Sequence, residues 1–296
     1  MTLPGEVKHK LSALGLDPED VSILIATALG EDLRDGPDVT TAATIPSEAA
    51  GTADVVARAQ GVIAGLVVAE AVFRTVAWPA GVTVRRRVSD GDRVSAGTTL
   101  MTIQGPLQAI LTAERTALNL LTHLSGVATL TRLWADAMAG TKARVRDTRK
   151  TMPGLRMLEK YAVRCGGGVN HRMSLADAAL IKDNHVAAAG SVTAAYEAVR
   201  KLAPDLPVEV ECDTLDQVAE AVDAGAGLIL LDNFEVPQMR EAVRLAGGRA
   251  LLEASGGLRL SSAAEVAGTG VDYLAVGALT HSAPALDIGL DLVSAR

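Results

Sequence analysis

Cysteine is scarce in this chain, with two in 296 residues. Cys165 and Cys212 lie far apart, with no CxxC and no Cys/His pair at zinc spacing. That excludes a disulfide scaffold and a structural zinc site, and both are read as reduced thiols of a cytoplasmic protein. Aromatic residues make up only 2% of the chain, and its net charge is −7. An acidic chain without an aromatic-basic platform does not suit nucleic acid. No apolar run reaches the roughly 18 residues that a membrane span needs. The opening MTLPGEVKHKL lacks the apolar core of a secretion signal.

What remains is an aliphatic core. Apolar residues make up 49% of the chain. With so few aromatics, the core is built from Ala, Val, Leu and Ile, which suits parallel strands covered by helices. Against the acidic whole, residues 142–182 carry ten Lys/Arg and three acids. A solvated basic face is the plain reading of such a run. Here the cations are interleaved with strand-like and Gly-rich text, including Gly166 to Gly168, which favours an anion site.

The N-terminal third changes texture often. Asp17-Pro18-Glu19-Asp20 predicts a helix through about Leu29, with an Asp cap and acids at the positive end of its dipole. An irregular stretch follows around Gly36-Pro37-Asp38. Strand-like runs at Thr52–Ala57, Val82–Val88 and Thr98–Ile103 flank a predicted helix at Leu66–Ala77. The text VSDGDRVSAGTTLMTIQG is similar to the hairpin of biotinyl and lipoyl carrier barrels, through its Asp-Gly and Ala-Gly turns. A carrier needs a modifiable lysine at the hairpin tip, and residues 78–107 contain none. The stretch is therefore expected to be a structural β-sandwich. From Leu107 to Ala139 the text is helical. Thr112, Arg115, Asn119 and His123 make one polar stripe on it. The stripe either faces solvent or serves a buried or ligand-facing role, since it lacks the usual Glu and Lys.

The C-terminal half has a rhythm. Strand-like runs end at Arg146, Ile181, Glu211, Leu231, Ala254 and Val276. Ala-rich helical segments lie between them, at Leu155–Arg164, Thr193–Ala203, Leu215–Ala224, Val236–Ala246 and Ala263–Gly268. Repeated βα units with short loops predict a parallel sheet curled into an incomplete (βα) barrel. The fold class is thus expected to be α/β.

Barrel enzymes place their chemistry at the C-terminal ends of strands. Those ends read Asp147-Thr148-Arg149-Lys150-Thr151, Lys182-Asp183-Asn184-His185, VEVECD, Leu231-Asp232-Asn233, Glu253-Ala254-Ser255-Gly256-Gly257 and Val276-Gly277-Ala278-Leu279-Thr280. Period-two alternation puts Glu209, Glu211 and Asp213 on one face of the third strand. Acids inside a barrel are costly unless they meet a cation or sugar hydroxyls. The small residues of the last two ends suit a phosphate, which backbone N–H groups can approach closely. Glu211 and Asp232 then form a carboxylate pair for Mg²⁺ or for ribose hydroxyls. Arg149, Lys150, His171, Arg172 and Lys182 call for a polyanionic ligand. Lys182 alone, at a strand end, also fits the position of a Schiff-base lysine in an aldolase.

Several segments together resemble the quinolinate phosphoribosyltransferase family. They are DTRKTMPGLRMLEKYAVRCGGGVNHRMSLADAALIKDNH, VEVECDTLDQVAEAVDAGAGLILLDNF, LLEASGGL, VDYLAVGALTHSAPALDIGLDL, EDLRDGPDVTT and ERTALNLLTHLSGVAT. The family often runs Gly-Asp where this chain has Pro37. A related pyridine or molybdenum-associated phosphoribosyltransferase-like protein shares the fold. The resemblance implies transfer of phosphoribose from phosphoribosyl pyrophosphate to quinolinate with Mg²⁺, giving nicotinate mononucleotide, pyrophosphate and CO₂. It implies an N-terminal α/β sandwich domain over 1–125 and an incomplete (βα) barrel catalytic domain over 126–285, with a terminal segment, 286–296, packing back on the N-terminal domain. It also implies a cytoplasmic homodimer or higher oligomer with shared active sites, engaging neither nucleic acid nor membrane. Arg149, His171, Arg172 and Lys182 would hold the quinolinate carboxylates, together with Arg115 of the partner subunit and with Thr148 beside them. Lys150, Glu211, Asp232, Ser255, Gly256 and Gly277 would handle phosphoribosyl pyrophosphate, with Glu211 and Asp232 on its metal. Lys150, Lys182, Glu211 and Asp232 form the implied catalytic set.

Overall fold

The early strand-like runs extend because alternate residues are β-branched or apolar and share one buried face. The computed structural model, which describes residues 3–293, assigns them β1 (Ala50–Ala57), β2 (Gly61–Val62), β3 (Thr83–Arg86), β4 (Arg93–Val94) and β5 (Thr99–Pro106). The barrel strands follow as β6 (Arg144–Arg146), β7 (Ala179–Ile181), β8 (Val208–Cys212), β9 (Leu228–Asp232), β10 (Leu251–Ser255) and β11 (Tyr273–Ala275), and β12 (Ile288–Val293) comes last.

The chain divides into two compact units. The first runs to Leu130 and takes in Met152–Gly167 and the chain from Ser282 onward. Its main sheet has the order β12-β1-β5-β3 and is antiparallel throughout. Ala53, Val55 and Ala57 of β1 are buried with Leu100, Met101 and Ile103 of β5. The helix Leu66–Val76 is buried along Leu66–Phe73. Its one acid there, Glu70, is fully buried and takes Lys10 Nζ at 3.0 Å and Arg74 Nε at 2.8 Å. Asp17 caps the helix Pro18–Leu33 by accepting from the Glu19 amide at 2.8 Å, and the helix outruns the expected Leu29 by four residues. β12 pairs with β1 from Thr52↔Val293 to Ala57↔Ile288. Residues 294–296 lie outside the described ones.

The likeness to a carrier hairpin stops at the turns. The 89–105 text is not a hairpin of paired strands, because β4 pairs with β2 while β5 sits inside the four-stranded sheet. Two left-handed glycines redirect the chain. The Gly91 amide bonds Ile63 O at 2.8 Å with φ 94°, and the Gly97 amide bonds Ala57 O at 2.8 Å with φ 86°.

The second unit comprises Thr131–Thr151 and Gly168–His281. Its six parallel strands have the order β6-β11-β10-β9-β8-β7. This is chain order around a ring with one gap, between β6 and β7. At the gap Val169 runs beside β6, its N–H bonding Val145 O at 3.0 Å while Asp147 N–H bonds Val169 O at 3.2 Å. The six strands match the expected runs to within a residue or two at each C-terminal end. The helix Arg156–Cys165 does not follow the expected pattern. It was counted among the barrel helices, yet it belongs to the first unit. Its buried face explains the difference, since Tyr161 Oη donates to Asp90 Oδ2 at 2.6 Å and His123 Nε2 meets Glu159 Oε1 at 2.9 Å.

Candidate active site

Parallel strands of similar length bring their C-terminal ends to one rim, and there the barrel opens into a cavity of about 460 Å³. Thr148, Arg149, Lys150, His171, Arg172, Lys182, Glu211, Asp232 and Ser255 all line it. Those nine predicted residues come from β6, the 168–178 segment, β7, β8, β9 and β10 or the loops just after them. Gly277 stands beside them. A Cβ there would lie 3.0 Å from Lys150 Cδ and 3.4 Å from Thr148 Oγ1. Gly256 has φ 84°, and a Cβ on it would collide with the Asn233 side chain. Only glycine gives the backbone after β10 this path.

The two arginines are set for an anion. Arg172 Nη1 donates to Ala178 O at 2.9 Å, but its buried Nε has no partner among the described residues. Arg149 Nε is likewise buried and unpartnered. Burial and the neighbouring Arg149 guanidinium pull Arg172 below its usual value. Two converging cations with spare donors gain most from a ligand that carries several acceptor oxygens.

The carboxylates are already engaged. Glu211 Oε2 accepts from Lys182 Nζ at 2.6 Å, and Asp232 Oδ2 accepts from Asn233 Nδ2 at 2.8 Å. That contact sets a carboxylate, not the apolar wall a Schiff-base lysine needs, against the Lys182 amine. His185 caps the turn after β7, its Nδ1 accepting from the Lys182 amide at 2.9 Å. The three acids of β8 do not share one fate. Glu209 is buried, Glu211 is half-buried, and Asp213 is exposed because the strand ends at Cys212. Burial pushes the Cys165 thiol to about 11 and the Cys212 thiol to about 12, so neither is nucleophilic at neutral pH.

The polar stripe on the helix Leu107–Ala137 splits in two. Thr112 Oγ1 donates to Asp38 Oδ2 at 3.2 Å and His123 meets Glu159, all within the first unit. Arg115 and Asn119 are exposed.

Four cavity residues were not among the predicted site residues: Leu180, Leu230, Glu253 and Ala275. Leu180, Leu230 and Ala275 carry no chemistry and gave no signal. Glu253 did give one, for it stands two residues before Ser255 on β10 and so shares its face. Asn233 was passed over too. Among the described residues it is the one non-glycine with positive φ, at 55°, and its amide bonds Ser255 O at 2.9 Å. That bond ties the end of β9 to the end of β10.

Comparison with known proteins places the chain in a family. Residues 127–291 match the model of the quinolinate phosphoribosyl transferase C-terminal domain, and residues 38–125 match that of the N-terminal domain. Nicotinate-nucleotide pyrophosphorylase (carboxylating) from Mycobacterium leprae (strain TN) is 58% identical over 90% of this chain and 95% of its own length. Quinolinate phosphoribosyltransferase (decarboxylating) 1 from Nicotiana glauca is 40% identical over 92% of this chain and 82% of its own. The crystal structure of NadC from Streptococcus pyogenes superposes with a TM-score of 0.89 at 40% identity, covering 94% of this chain and 99% of that one. Human nicotinic acid phosphoribosyltransferase, at 16% identity and a TM-score of 0.64, shares the fold. With both of its domains matched, the chain belongs to the quinolinate phosphoribosyl transferase family.

Proposed function

We propose that this chain transfers phosphoribose from phosphoribosyl pyrophosphate to quinolinate, releasing pyrophosphate and CO₂ and forming nicotinate mononucleotide. The observation that carries the reading is the pair of unpartnered, buried Nε donors on Arg149 and Arg172 inside a cation-lined cavity. A pyridine with adjacent carboxylates would use both forks, with Lys182 and His171 at the same wall. The small-residue turn Ser255-Gly256-Gly257 suits the phosphate end.

The chemistry needs little beyond placement and charge. The ring nitrogen attacks the anomeric carbon as pyrophosphate leaves, through an oxocarbenium-like state. Lys150 and its cationic neighbours stabilise the departing charge, as preorganised groups do. The ring nitrogen is then cationic, so C2 can lose CO₂ and hold the electron pair until it is protonated. No dedicated base is required for that step.

Glu211 and Asp232 are hard oxygen donors at the ends of adjacent strands, which suits Mg²⁺ shared with a pyrophosphate ester. When bound, the ion would neutralise charge on the pyrophosphate. The protein would act as a homodimer in the cytoplasm, each pocket completed by Arg115 of the partner subunit. The exposure of Arg115, on a helix whose Thr112 and His123 are tied internally, supports that part. Among the described residues no helix is long and apolar enough to cross a membrane.

The test is release of labelled CO₂ from quinolinate labelled in its 2-carboxyl group. Release should require phosphoribosyl pyrophosphate, match mononucleotide formed, and stop in excess chelator. Release without phosphoribosyl pyrophosphate, or none with it, overturns the reading. Full release in chelator removes Glu211 and Asp232 from the metal role.

A further inference from the structure

In and behind the cavity wall lies a layer of charge where a barrel interior ordinarily holds apolar side chains. Arg146 of β6, Glu209 of β8 and Glu253 of β10 meet there, from alternate strands of the sheet. Arg146 Nη1 donates to Glu253 Oε2 at 2.6 Å. His171, from the segment that fills the gap between β6 and β7, places Nε2 2.7 Å from Glu209 Oε2 and 3.8 Å from Glu253 Oε1. Glu209 is 3% exposed and Glu253 is 0% exposed. Apolar residues of similar volume would fill such a layer at no cost in stability, so its charges point to a role in function.

The two nitrogens of His171 do different work. Nδ1 accepts from the Arg172 backbone N–H at 2.7 Å, so it carries no proton. Nε2 is then the protonated nitrogen, and it donates to Glu209. The main chain of the same segment is fixed separately, since the His171 N–H donates to Asp147 Oδ1 at 2.8 Å. Glu209 does not line the cavity that Arg149, Lys182 and Glu211 line. It lines a second one, of about 440 Å³, on the other side of His171 and Arg172. Glu209 therefore reaches His171 from the side away from the candidate substrate.

We propose that Glu209 is a positioning residue for quinolinate binding: it fixes the orientation and tautomer of His171, whose Nδ1 in turn fixes the backbone from which Arg172 reaches its ligand. This inference rests on the functional reading above. A carboxylate held 2.7 Å from an imidazole N–H selects one tautomer and one ring orientation. Without it the ring can turn, and the Arg172 amide loses its acceptor.

The experiment has two arms. In the first, steady-state kinetics compare the wild type with Glu209→Ala and Glu209→Gln. Glu209→Ala should raise KM for quinolinate about tenfold, the loss expected for one charge-assisted hydrogen bond, while KM for phosphoribosyl pyrophosphate moves less than about twofold. Glu209→Gln keeps an acceptor oxygen and should recover most of that loss. A Glu209→Ala enzyme with unchanged KM for quinolinate, equal rises for both substrates, or no recovery in Glu209→Gln overturns the proposal.

The second arm is the ¹⁵N spectrum of the His171 imidazole in wild-type enzyme, which decides the matter even if Glu209→Ala does not fold. The expected pattern is a protonated Nε2 and an unprotonated Nδ1. A protonated Nδ1 overturns the proposal. A wild type with this ring pattern but no quinolinate turnover would sink the functional reading while leaving the Glu209 contact standing.

Discussion

Arg172 gives Nη1 to the Ala178 carbonyl at 2.9 Å, and that bond holds the guanidinium so that its buried Nε faces no protein acceptor. A lysine in its place would keep the charge and lose the planar fork. Arg172→Lys should therefore raise KM for quinolinate by about tenfold or more, since a bidentate contact becomes a single one. Steady-state kinetics check this. A KM within about twofold of wild type would mean that charge alone matters at this position.

Glu253 predicts a pH dependence of stability. Burial first, and the Glu209 carboxylate next, raise it from 4.5 to about 8 against the pull of Arg146. The fold thus favours the protonated acid. That contribution is complete below 4.5 and is lost as pH rises through about 8. Glu253→Gln stays neutral throughout and keeps an oxygen for Arg146. The melting temperature of the wild type should fall relative to Glu253→Gln as pH rises from about 5 to about 9. A difference that stays flat over that range contradicts the raised value.

Gly256 tests the turn after β10. Its φ of 84° and the Asn233 side chain beside it both exclude a Cβ. Gly256→Ala should cost about 1–3 kcal/mol in urea unfolding and should weaken binding of phosphoribosyl pyrophosphate. An alanine variant with wild-type stability and affinity would remove this turn from the phosphate site.

Much of this was legible in the chain, and the reasons are physical. The strand ends were readable because β9 is a short apolar run that stops at Asp232, because β10 runs into Ser255 and two glycines, and because helices return at short intervals. Cavity residues followed from that frame, since the rim of a parallel barrel collects whatever ends its strands. Period-two alternation put Glu211 on the face where it lines the cavity but put Asp213 there too, because sequence does not mark that β8 stops at Cys212. The helix Arg156–Cys165 has the same Ala-rich, amphipathic text as its neighbours. Only the long-range contacts of Tyr161 and Glu159 assign it to the first unit. The split of the polar stripe was hidden for the same cause. Thr112 finds Asp38 across 74 residues of sequence, and spacing along one helix carries no trace of such a partner.

Arg115 tests the shared pocket. Arg115→Ala should leave folding and dimerisation intact but cripple quinolinate turnover. Mixed with Lys150→Ala and allowed to exchange subunits, it should recover about a quarter of wild-type activity, because half the dimers are mixed and each has one complete pocket. Verified exchange without recovered activity would mean that Arg115 acts within its own subunit or only structurally.

The central claim is that converging guanidinium forks select a dicarboxylate pyridine. The measurement that tests it most directly is kcat/KM for quinolinate against nicotinate, each with phosphoribosyl pyrophosphate and mononucleotide as the product followed. Quinolinate should be preferred by about a hundredfold or more, because a site built to bond a second carboxylate leaves buried donors unpaired with the analogue that lacks it. Comparable turnover on the two substrates would contradict the account.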